Sequence, residues 1–340
     1  MSNQGTILVT GGAGYIGSHT CVELLASGYD VVIVDNLCNS QREAVSRVER
    51  IAGRVPVFVQ GDVCSAAVME DVFSRYRIDG VIHFAALKSV GESVSQPLRY
   101  YSNNLGSLVT LLDVMGRHNV RDLVFSSSAT VYGNPGSVPI DETFPLSATN
   151  PYGQTKLMAE QMLADTVSAD PRWRVAVLRY FNPVGAHESG LLGEDPAGVP
   201  SNLMPFVAQV AVGKLPRLKV FGGDWPTPDG TGVRDYLHVV DLARGHLSAL
   251  AGLRGRETGF TVNLGTGEGQ SVLDVVRAFE AASGREVPYD IVARRAGDIA
   301  TCYANPAKAQ ALLGWRAQYD LARMCADHWR WQRQNPDGYQ

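Results

Sequence analysis

Little in this chain is in excess, and several things are missing. Charged residues make up only 19% of the 340 residues and nearly balance, at a net −4. No global field therefore draws the protein to nucleic acid or to an acidic membrane, and any anionic ligand must be held by local arginines or backbone donors. No run of about 18 apolar residues is present, so nothing is expected to span a bilayer. The seven histidines show no His-Glu-x-x-His or comparable spacing, so no structural or catalytic metal is expected. The five cysteines, Cys21, Cys38, Cys64, Cys302 and Cys325, form no Cys-x-x-Cys pair. Odd in number and widely spaced, they read as free thiols in a reducing, cytoplasmic compartment. A signal-peptide pattern, repeats and low-complexity tails are also lacking. What remains, at 45% hydrophobic residues, is a globular composition long enough for a large core and two domains.

Glycine is concentrated where it carries information. Residues 6–10 form a short apolar run that reads as a buried strand, followed by Gly11, Gly12, Ala13, Gly14, Tyr15, Ile16 and Gly17 and then a helical pattern to about Ser27. Strand, glycine turn and helix in that order are the context of a dinucleotide fingerprint. Gly11, Gly14 and Gly17 permit a tight turn, close approach of backbone to a pyrophosphate, and close helix–sheet packing, while the helix start offers N–H groups to phosphate. The next strand, Val31 to Val34, ends in Asp35. An acid there accepts from both adenosine ribose hydroxyls and repels a 2′-phosphate, which favours NAD over NADP; alternatively it caps the following loop.

Further strands are expected at Val55 to Gln60, Asp79 to Phe84, Asp122 to Phe125 and Arg174 to Arg179, alternating with helices. That alternation predicts a doubly wound parallel α/β sheet over residues 1–180. Asp62 after the third strand either meets the adenine edge or caps the helix from about Ser65 to Tyr76. Small residues, Ala85 and Ala86, follow the fourth strand and let a ligand pass. A long helix from about Pro97 to His118 carries Asn103 and Asn104. Ser126, Ser127 and Ser128 lie at the carboxyl end of the fifth strand, where ligands of open α/β sheets bind. Residues 181–340 change texture, with many Gly and Pro and short elements, and read as a smaller mixed α/β substrate domain. Within it, helices are expected at Met204 to Val212, Val239 to Leu250 (capped by Asp241 or a neighbour), Ser271 to Ser283, Asn305 to Leu313 and Leu321 to Arg333. Strands are expected at Leu218 to Phe221 and Phe260 to Leu264, the latter able to return to the first sheet.

The segment Asn150 to Lys156, Asn-Pro-Tyr-Gly-Gln-Thr-Lys, organises the rest. Asn150 can cap a helix whose first turn tolerates Pro151, and Tyr152 and Lys156 then share one face. A phenol titrates near ~10, but a nearby ammonium and the positive end of a helix both favour phenolate. Tyr152 is thereby a candidate proton acceptor.

A glycine turn, a serine after the fifth strand and Tyr-x-x-x-Lys on the next helix together resemble the extended short-chain dehydrogenase/reductase superfamily, with its Rossmann sheet. The runs Gly11 to Thr20, Asp35 to Ser40, Ser126 to Gly133, Arg179 to His187 and Gly232 to Tyr236 resemble UDP-glucose (UDP-galactose) 4-epimerases, and the likeness covers essentially the whole chain. The resemblance implies NAD held by Gly11, Gly14, Tyr15, Ile16, Gly17, Asp35, Asn36, Leu37, Cys38, Asn39, Ser40, Asp62, Val63, Phe84, Ala85, Ala86, Leu87, Lys88, Asn103, Ser128, Tyr152, Lys156 and Phe181. It implies a UDP-sugar contacted by Lys88, Ser128, Tyr152, Tyr180, Asn182, Asn202, Leu203, Lys219, Phe221, Arg234, Tyr236, Arg295, Asp298 and Cys302. Ser128, Tyr152 and Lys156 would be the catalytic set of an isomerase acting at sugar C4 through a 4-keto intermediate, serving galactose metabolism and UDP-sugar supply. A homodimer through two long helices, about 97–118 and 151–168, is likewise implied.

At position 302 the family commonly has Tyr or a smaller residue lining the sugar pocket; here it is Cys302. The smaller side chain leaves room for an N-acetyl group at C2, so UDP-GlcNAc and UDP-GalNAc are expected substrates too. The alternative is a buried Cys acting as a small hydrophobe. A 4,6-dehydratase would share the NAD site, but that family carries Asp-Glu beside the serine where this chain has Ala129 and Thr130. A UDP-glucuronate decarboxylase and a silent NAD-binding regulator are the remaining alternatives.

Overall fold

The computed structural model describes residues 4–339 except 197, 199, 201 and 296. Its first half alternates strand and helix: β1 (Thr6–Thr10), α1 (Tyr15–Ala26), β2 (Asp30–Asp35), α2 (Arg42–Ala52), β3 (Val57–Gln60), α3 (Ala66–Arg75), β4 (Gly80–His83), α4 (Val90–Ser95), α5 (Pro97–Arg117), β5 (Asp122–Ser128), α6 (Pro151–Ala169) and β6 (Arg174–Tyr180). A 3-10 turn, Ala129–Tyr132, follows β5. The second half adds β7 (Asn182–Val184), α7 (Leu203–Ala211), β8 (Leu218–Phe221), β9 (Val233–Arg234), β10 (Tyr236–His238), α8 (Val239–Arg254), β11 (Phe260–Leu264), β12 (Gln270–Ser271), α9 (Val272–Ser283), β13 (Tyr289–Val292), β14 (Thr301–Cys302), α10 (Ala307–Leu313) and α11 (Leu321–Gln334).

The main sheet has seven strands in the order β11-β6-β5-β4-β1-β2-β3, every neighbouring pair parallel. Its strands are apolar on both faces because both faces are covered. Ile7 and Val9 pack on the side of α1 and α2, while Leu8 between them packs on the side of α3 and α5, and all three are 0% exposed. Fully burying each such side chain is worth about 1.5–3 kcal/mol against exposure. β11 pairs with β6 from Phe260↔Ala176 to Leu264↔Tyr180, and α8 lies against α1, where Arg244 Nε meets Glu23 Oε2 at 3.4 Å. Residues 239–264 thus rejoin the first sheet. A separate core of Met204, Val207, Val220, Tyr236, Val276, Phe279 and Met324 joins α7, β8, α9 and α11. Trp315 and Trp331 are core residues.

The order reverses at β1, between β4 and β2, so the loops after those three strands open a crevice at their carboxyl ends. The structure settles two caps that the sequence left open. Ser65, not Asp62, caps α3 by accepting from Val68 N, and Asp62 closes a tighter turn by accepting from Cys64 N at 2.8 Å. His238, not Asp241, caps α8; Asp241 instead accepts from Gln318 N and Tyr319 N. Ser271 caps α9 in a full capping box with Asp274.

Candidate active site

The glycine turn is the first wall. Gly11 has φ +69°, and a Cβ there would come within 2.8 Å of Ala85 N, across the switch point. A Cβ on Gly17 would meet Gly11 O at 2.3 Å, so the start of α1 sits directly on the turn. No side chain caps α1 at Gly14, which leaves its first N–H groups for a ligand. Asp35 is 7% exposed and holds the rim: Oδ1 accepts from Leu37 N (2.9 Å) and Ser40 Oγ (2.8 Å), Oδ2 from Ala13 N (3.0 Å). Oδ2 retains a lone pair for a ribose hydroxyl. A glycine cradle, an uncapped helix start and this carboxylate fit a dinucleotide without a 2′-phosphate.

One crevice brings together most of the expected cofactor residues: Gly11, Gly14, Tyr15, Ile16, Gly17, Asp35, Asn36, Cys38, Asn39, Ser40, Asp62, Val63, Phe84, Ala85, Ala86, Leu87, Lys88, Asn103, Ser128, Tyr152, Lys156 and Phe181. Leu37 is not in its wall; it has φ 59° and packs against the core beside α1 and α2. Asn36 Nδ2 donates to Asp62 Oδ2 at 3.1 Å, tying the loop after β2 to that after β3. Burial is not uniform, since Lys156 is 4% exposed while the Tyr152 ring stays half-buried at the crevice.

The catalytic candidates converge from β5 and α6. Asn150 Oδ1 accepts from Gly153 N at 2.9 Å and fixes the first turn of α6. A Cβ on Gly153 would lie 3.1 Å from Thr130 O, so this turn is packed onto the 3-10 turn that carries on from Ser128. Ser128 Oγ accepts from Thr130 N (3.2 Å) and Thr130 Oγ1 (3.0 Å) and lines the same crevice as Tyr152. With both Thr130 bonds accepted, the Ser128 proton remains free to be donated. Lys156 Nζ donates to Ser126 O at 2.7 Å and stands 6.0 Å from the Tyr152 ring centroid.

The electrostatics differ from the sequence expectation. Burial pushes the Tyr152 phenol up to about 12, against which the neighbouring Ser128 hydroxyl pulls downward. Burial also lowers Lys156 to about 8, opposed by the charge of Glu160. Desolvation of the phenolate dominates, so in this chain alone Tyr152 is held above its ordinary value and not below it. Tyr180 forms a short hydrogen bond with Ser126 Oγ beside them.

The expected substrate residues fall into two groups. Lys88, Ser128, Tyr152, Tyr180, Asn182 and Asn202 line the same crevice. Lys219, Phe221, Arg234, Arg295, Asp298 and Cys302 lie outside that wall, on β8, β9, β14 and the loop after β13, and are called the shelf below. Lys219 and Phe221 are exposed on one face of β8, and the Arg295 guanidinium stands 5.5 Å over the Phe221 ring. Arg295 also pairs with Asp298 at 3.0 Å. Arg234 and half-buried Cys302 are register partners of β9 and β14. Crevice and shelf are joined by backbone: Asn182 N donates to Asp235 O (3.0 Å), and Asp235 N to Cys302 O (3.1 Å). Leu203 begins α7 and packs on the second core, and Tyr236 is 5% exposed within it.

Sequence reasoning missed three supports. Glu194, 7% exposed, takes Lys88 Nζ (3.1 Å) and Asn202 Nδ2 (2.7 Å) on one oxygen. Asn104 holds the loop after β4 through Leu87 N (2.8 Å) and Leu87 O (3.0 Å), and reaches Thr155 on α6. Asp235 accepts from Thr266 N and Oγ1, Gly267 N and Ala304 N, pinning the shelf. Only composition marked Glu194, as an acid in a Gly/Pro-rich stretch with no periodicity to place it.

A serine, a tyrosine and a lysine at the carboxyl ends of a doubly wound sheet, beside a dinucleotide cradle, define an NAD-dependent enzyme of the extended short-chain dehydrogenase/reductase class. A family profile described as GDP-mannose 4,6 dehydratase matches residues 8–328. The chain is 60% identical to the UDP-glucose 4-epimerase of Bacillus subtilis (strain 168), with 98% of each covered. The crystal structure of UDP-glucose 4-epimerase from Bifidobacterium longum in complex with NAD+ and UDP is similar at a TM-score of 0.96 and 56% identity, covering 98% of this chain and 100% of that one. That of UDP-glucose-4-epimerase from Stenotrophomonas maltophila, with bound NAD and formylated UDP-arabinopyranose, gives 0.96 and 54%, covering 97% and 98%. The chain belongs to the UDP-glucose 4-epimerase family.

Proposed function

We propose that this chain reversibly inverts C4 of UDP-hexoses, converting UDP-galactose to UDP-glucose, as an isomerase with resident NAD. The observation that carries the reading is the convergence of Ser128, Tyr152 and Lys156 with the glycine turn and Asp35 in the wall of one crevice. When bound, NAD would supply a reversible acceptor for the C4 hydride. Tyr152 accepts the C4 hydroxyl proton as the carbon–hydrogen bond breaks, and Ser128 donates to the same oxygen. Lys156, fixed on Ser126 O, presents its ammonium to the ribose beside the reacting ring. The Arg234 and Arg295 guanidiniums hold the diphosphate, Phe221 offers its face to uracil, and Asp298 accepts from the ribose. Asp35 takes the adenosine ribose of the cofactor. UDP stays on the shelf while the 4-keto sugar turns about its link to phosphate and presents its other face. Residues 1–180 supply most of the NAD site and residues 181–340 most of the UDP site, but the division is not strict: Phe181 and residues 193–196 line the cofactor crevice, and Lys88, Ser128, Tyr152 and Tyr180 serve the sugar.

Cys302 sets the room beside the sugar, and with this small side chain the N-acetylated UDP-hexoses are also interconverted. Two copies pair through α5 and α6, whose Leu98, Val109 and Met158 are exposed apolar side chains at 80%, 53% and 39%. The free thiols of all five cysteines suit a reducing cytoplasm. Among the described residues no helix is long and apolar enough to cross a membrane. Incubation with UDP-galactose tests the central claim: UDP-glucose must appear without added NAD. A dehydrated or decarboxylated product, or none from an NAD-loaded protein, would overturn it.

A further inference from the structure

The loop between β7 and α7 does more than carry Asn202. Its residues Gly193, Glu194, Asp195 and Pro196 line the cofactor crevice, together with Tyr339 from the segment after α11. Two contacts place this loop across the opening. Asp195 Oδ2 accepts from Gln41 Nε2 at 3.1 Å, on the rim after β2. Glu194 Oε1 accepts from Lys88 Nζ at 3.1 Å, on the rim after β4. Those rims flank β1, whose glycine turn is the pyrophosphate cradle. A chain segment gripping both rims must move before a dinucleotide lying on that turn can leave sideways.

The loop is itself tied from behind. Tyr339 Oη bridges both polar groups of Gly193, accepting from its N at 3.2 Å and donating to its O at 3.1 Å. Tyr339 N donates to Asp195 Oδ2 at 2.8 Å. Asn335 Nδ2 donates to Gly190 O at 2.9 Å, and Arg47 of α2 donates to Leu191 O (3.1 Å) and Asn335 Oδ1 (2.5 Å). The Arg47 guanidinium lies 4.9 Å over the Tyr339 ring and 5.6 Å over Trp331. Arg47 and Tyr339 are each 8% exposed, so these bonds act away from bulk water. There is little slack: a Cβ on Gly193 would strike Trp331 at 2.3 Å, and one on Gly338 would strike Asp195 at 2.3 Å.

We infer that residues 190–196 are a strap closed over the bound dinucleotide and that Asn335 and Tyr339 latch it, so that escape of the cofactor requires the latch to open. This rests on the NAD reading above and adds a function for the segment after α11: cofactor retention. Tyr339 and Asn335 are positioning residues, acting through the strap. The design fits a coenzyme that ends each cycle in its starting state and has no need to exchange.

The test loads holoenzyme with adenine-labelled NAD, removes free label, and follows its loss during a chase with excess unlabelled NAD. Tyr339→Phe removes only the bridge to Gly193 and keeps the ring on Arg47; Tyr339→Ala and Asn335→Ala remove more. Loss of label should accelerate roughly tenfold in Tyr339→Phe and further in the alanine variants, since a buried hydrogen-bond pair acts mainly on the off-rate. Thermal melting of each loaded variant tells folded protein from unfolded. Folded variants that release label at the wild-type rate would overturn the latch. A wild-type protein that neither carries nor takes up NAD would overturn the cofactor reading, and the latch with it.

Discussion

The crevice and the shelf are built in opposite ways. The crevice sits on strand ends of a seven-stranded sheet, and its key contacts are backbone approaches with no room to spare, such as the 2.3 Å that a Cβ on Gly17 would leave to Gly11 O. The shelf rests on strands of two to four residues, and the side chains proposed to hold UDP there are long and partly exposed, such as Arg295 paired with Asp298 at side-chain exposures of 59% and 20%. Rigid backbone gives one binding geometry. Long side chains on short strands allow several. An enzyme that keeps its coenzyme fixed and turns its substrate over needs that asymmetry. Damage to the crevice should therefore abolish function, and damage to the shelf should tune it.

The largest expected effect lies at the crevice floor. Tyr152→Phe should reduce turnover by roughly 10²-fold or more while NAD stays bound, since it removes the proton acceptor and leaves the cradle intact. The reactive form is phenolate, and in this chain the phenol is held near about 12. The wild-type rate should therefore rise with pH across the neutral range, and the residual rate of Tyr152→Phe should not. Near-normal turnover in the variant, read by UDP-glucose formation, would remove Tyr152 from the chemistry. Next in size is Gly17→Ala. Backbone faces backbone at this position and neither can yield, so the variant should lose about 1–3 kcal/mol of stability and most of its NAD, measured by thermal melting and by cofactor content. A folded, fully NAD-loaded Gly17→Ala protein would show that the cradle is softer than the shelf.

Legibility followed the same divide. The parallel sheet could be read because runs such as 6–10 and 174–180 are apolar on both faces and bounded by turn residues. Asn150, Pro151, Tyr152 and Lys156 could be read because helical spacing is a short-range rule. The two-residue strands β9, β12 and β14 are too short to show any period, and β13 is mostly exposed, so their register follows from tertiary pairing alone. α2 and α4 also went unforeseen. The caps of α3 and α8 stayed open because the chain offers more than one acceptor within a few residues, and local sequence does not choose between them. The Tyr152 shift went the other way because spacing on a helix does not report burial or where an ammonium points.

A smaller effect is expected where the shelf holds charge. Arg234→Met keeps the stem and removes the guanidinium, which otherwise donates to Val233 O at 2.9 Å. A lost charge-assisted contact costs about 1.5–3 kcal/mol, so KM for the UDP-sugar should rise roughly tenfold or more, with kcat changed far less. Equal losses in kcat and kcat/KM would instead place this arginine with the reacting atoms and erase the distinction between the two regions.

The smallest and most selective effect concerns Cys302. It lies on β14 beside Arg234 on β9, half-buried, and burial pushes its thiol up to about 11, so near neutral pH it is a compact uncharged side chain. Its backbone oxygen takes the Asp235 N–H at 3.1 Å, and that bond does not depend on the side chain. Cys302→Tyr should therefore keep β14 in register and alter only the volume in front of it. A phenol ring there should obstruct a C2 N-acetyl group and leave a hydroxyl untouched. Turnover of UDP-galactose is then expected to change by no more than about threefold, while conversion of UDP-GalNAc falls by roughly 10-fold or more, the scale of about 1–3 kcal/mol available to a steric pocket. Side-by-side rates on the two sugars make the measurement. If wild type does not act on UDP-GalNAc, or if both rates fall together in the variant, then position 302 supports the strand without choosing the sugar, and the shelf is stiffer than its short strands suggest.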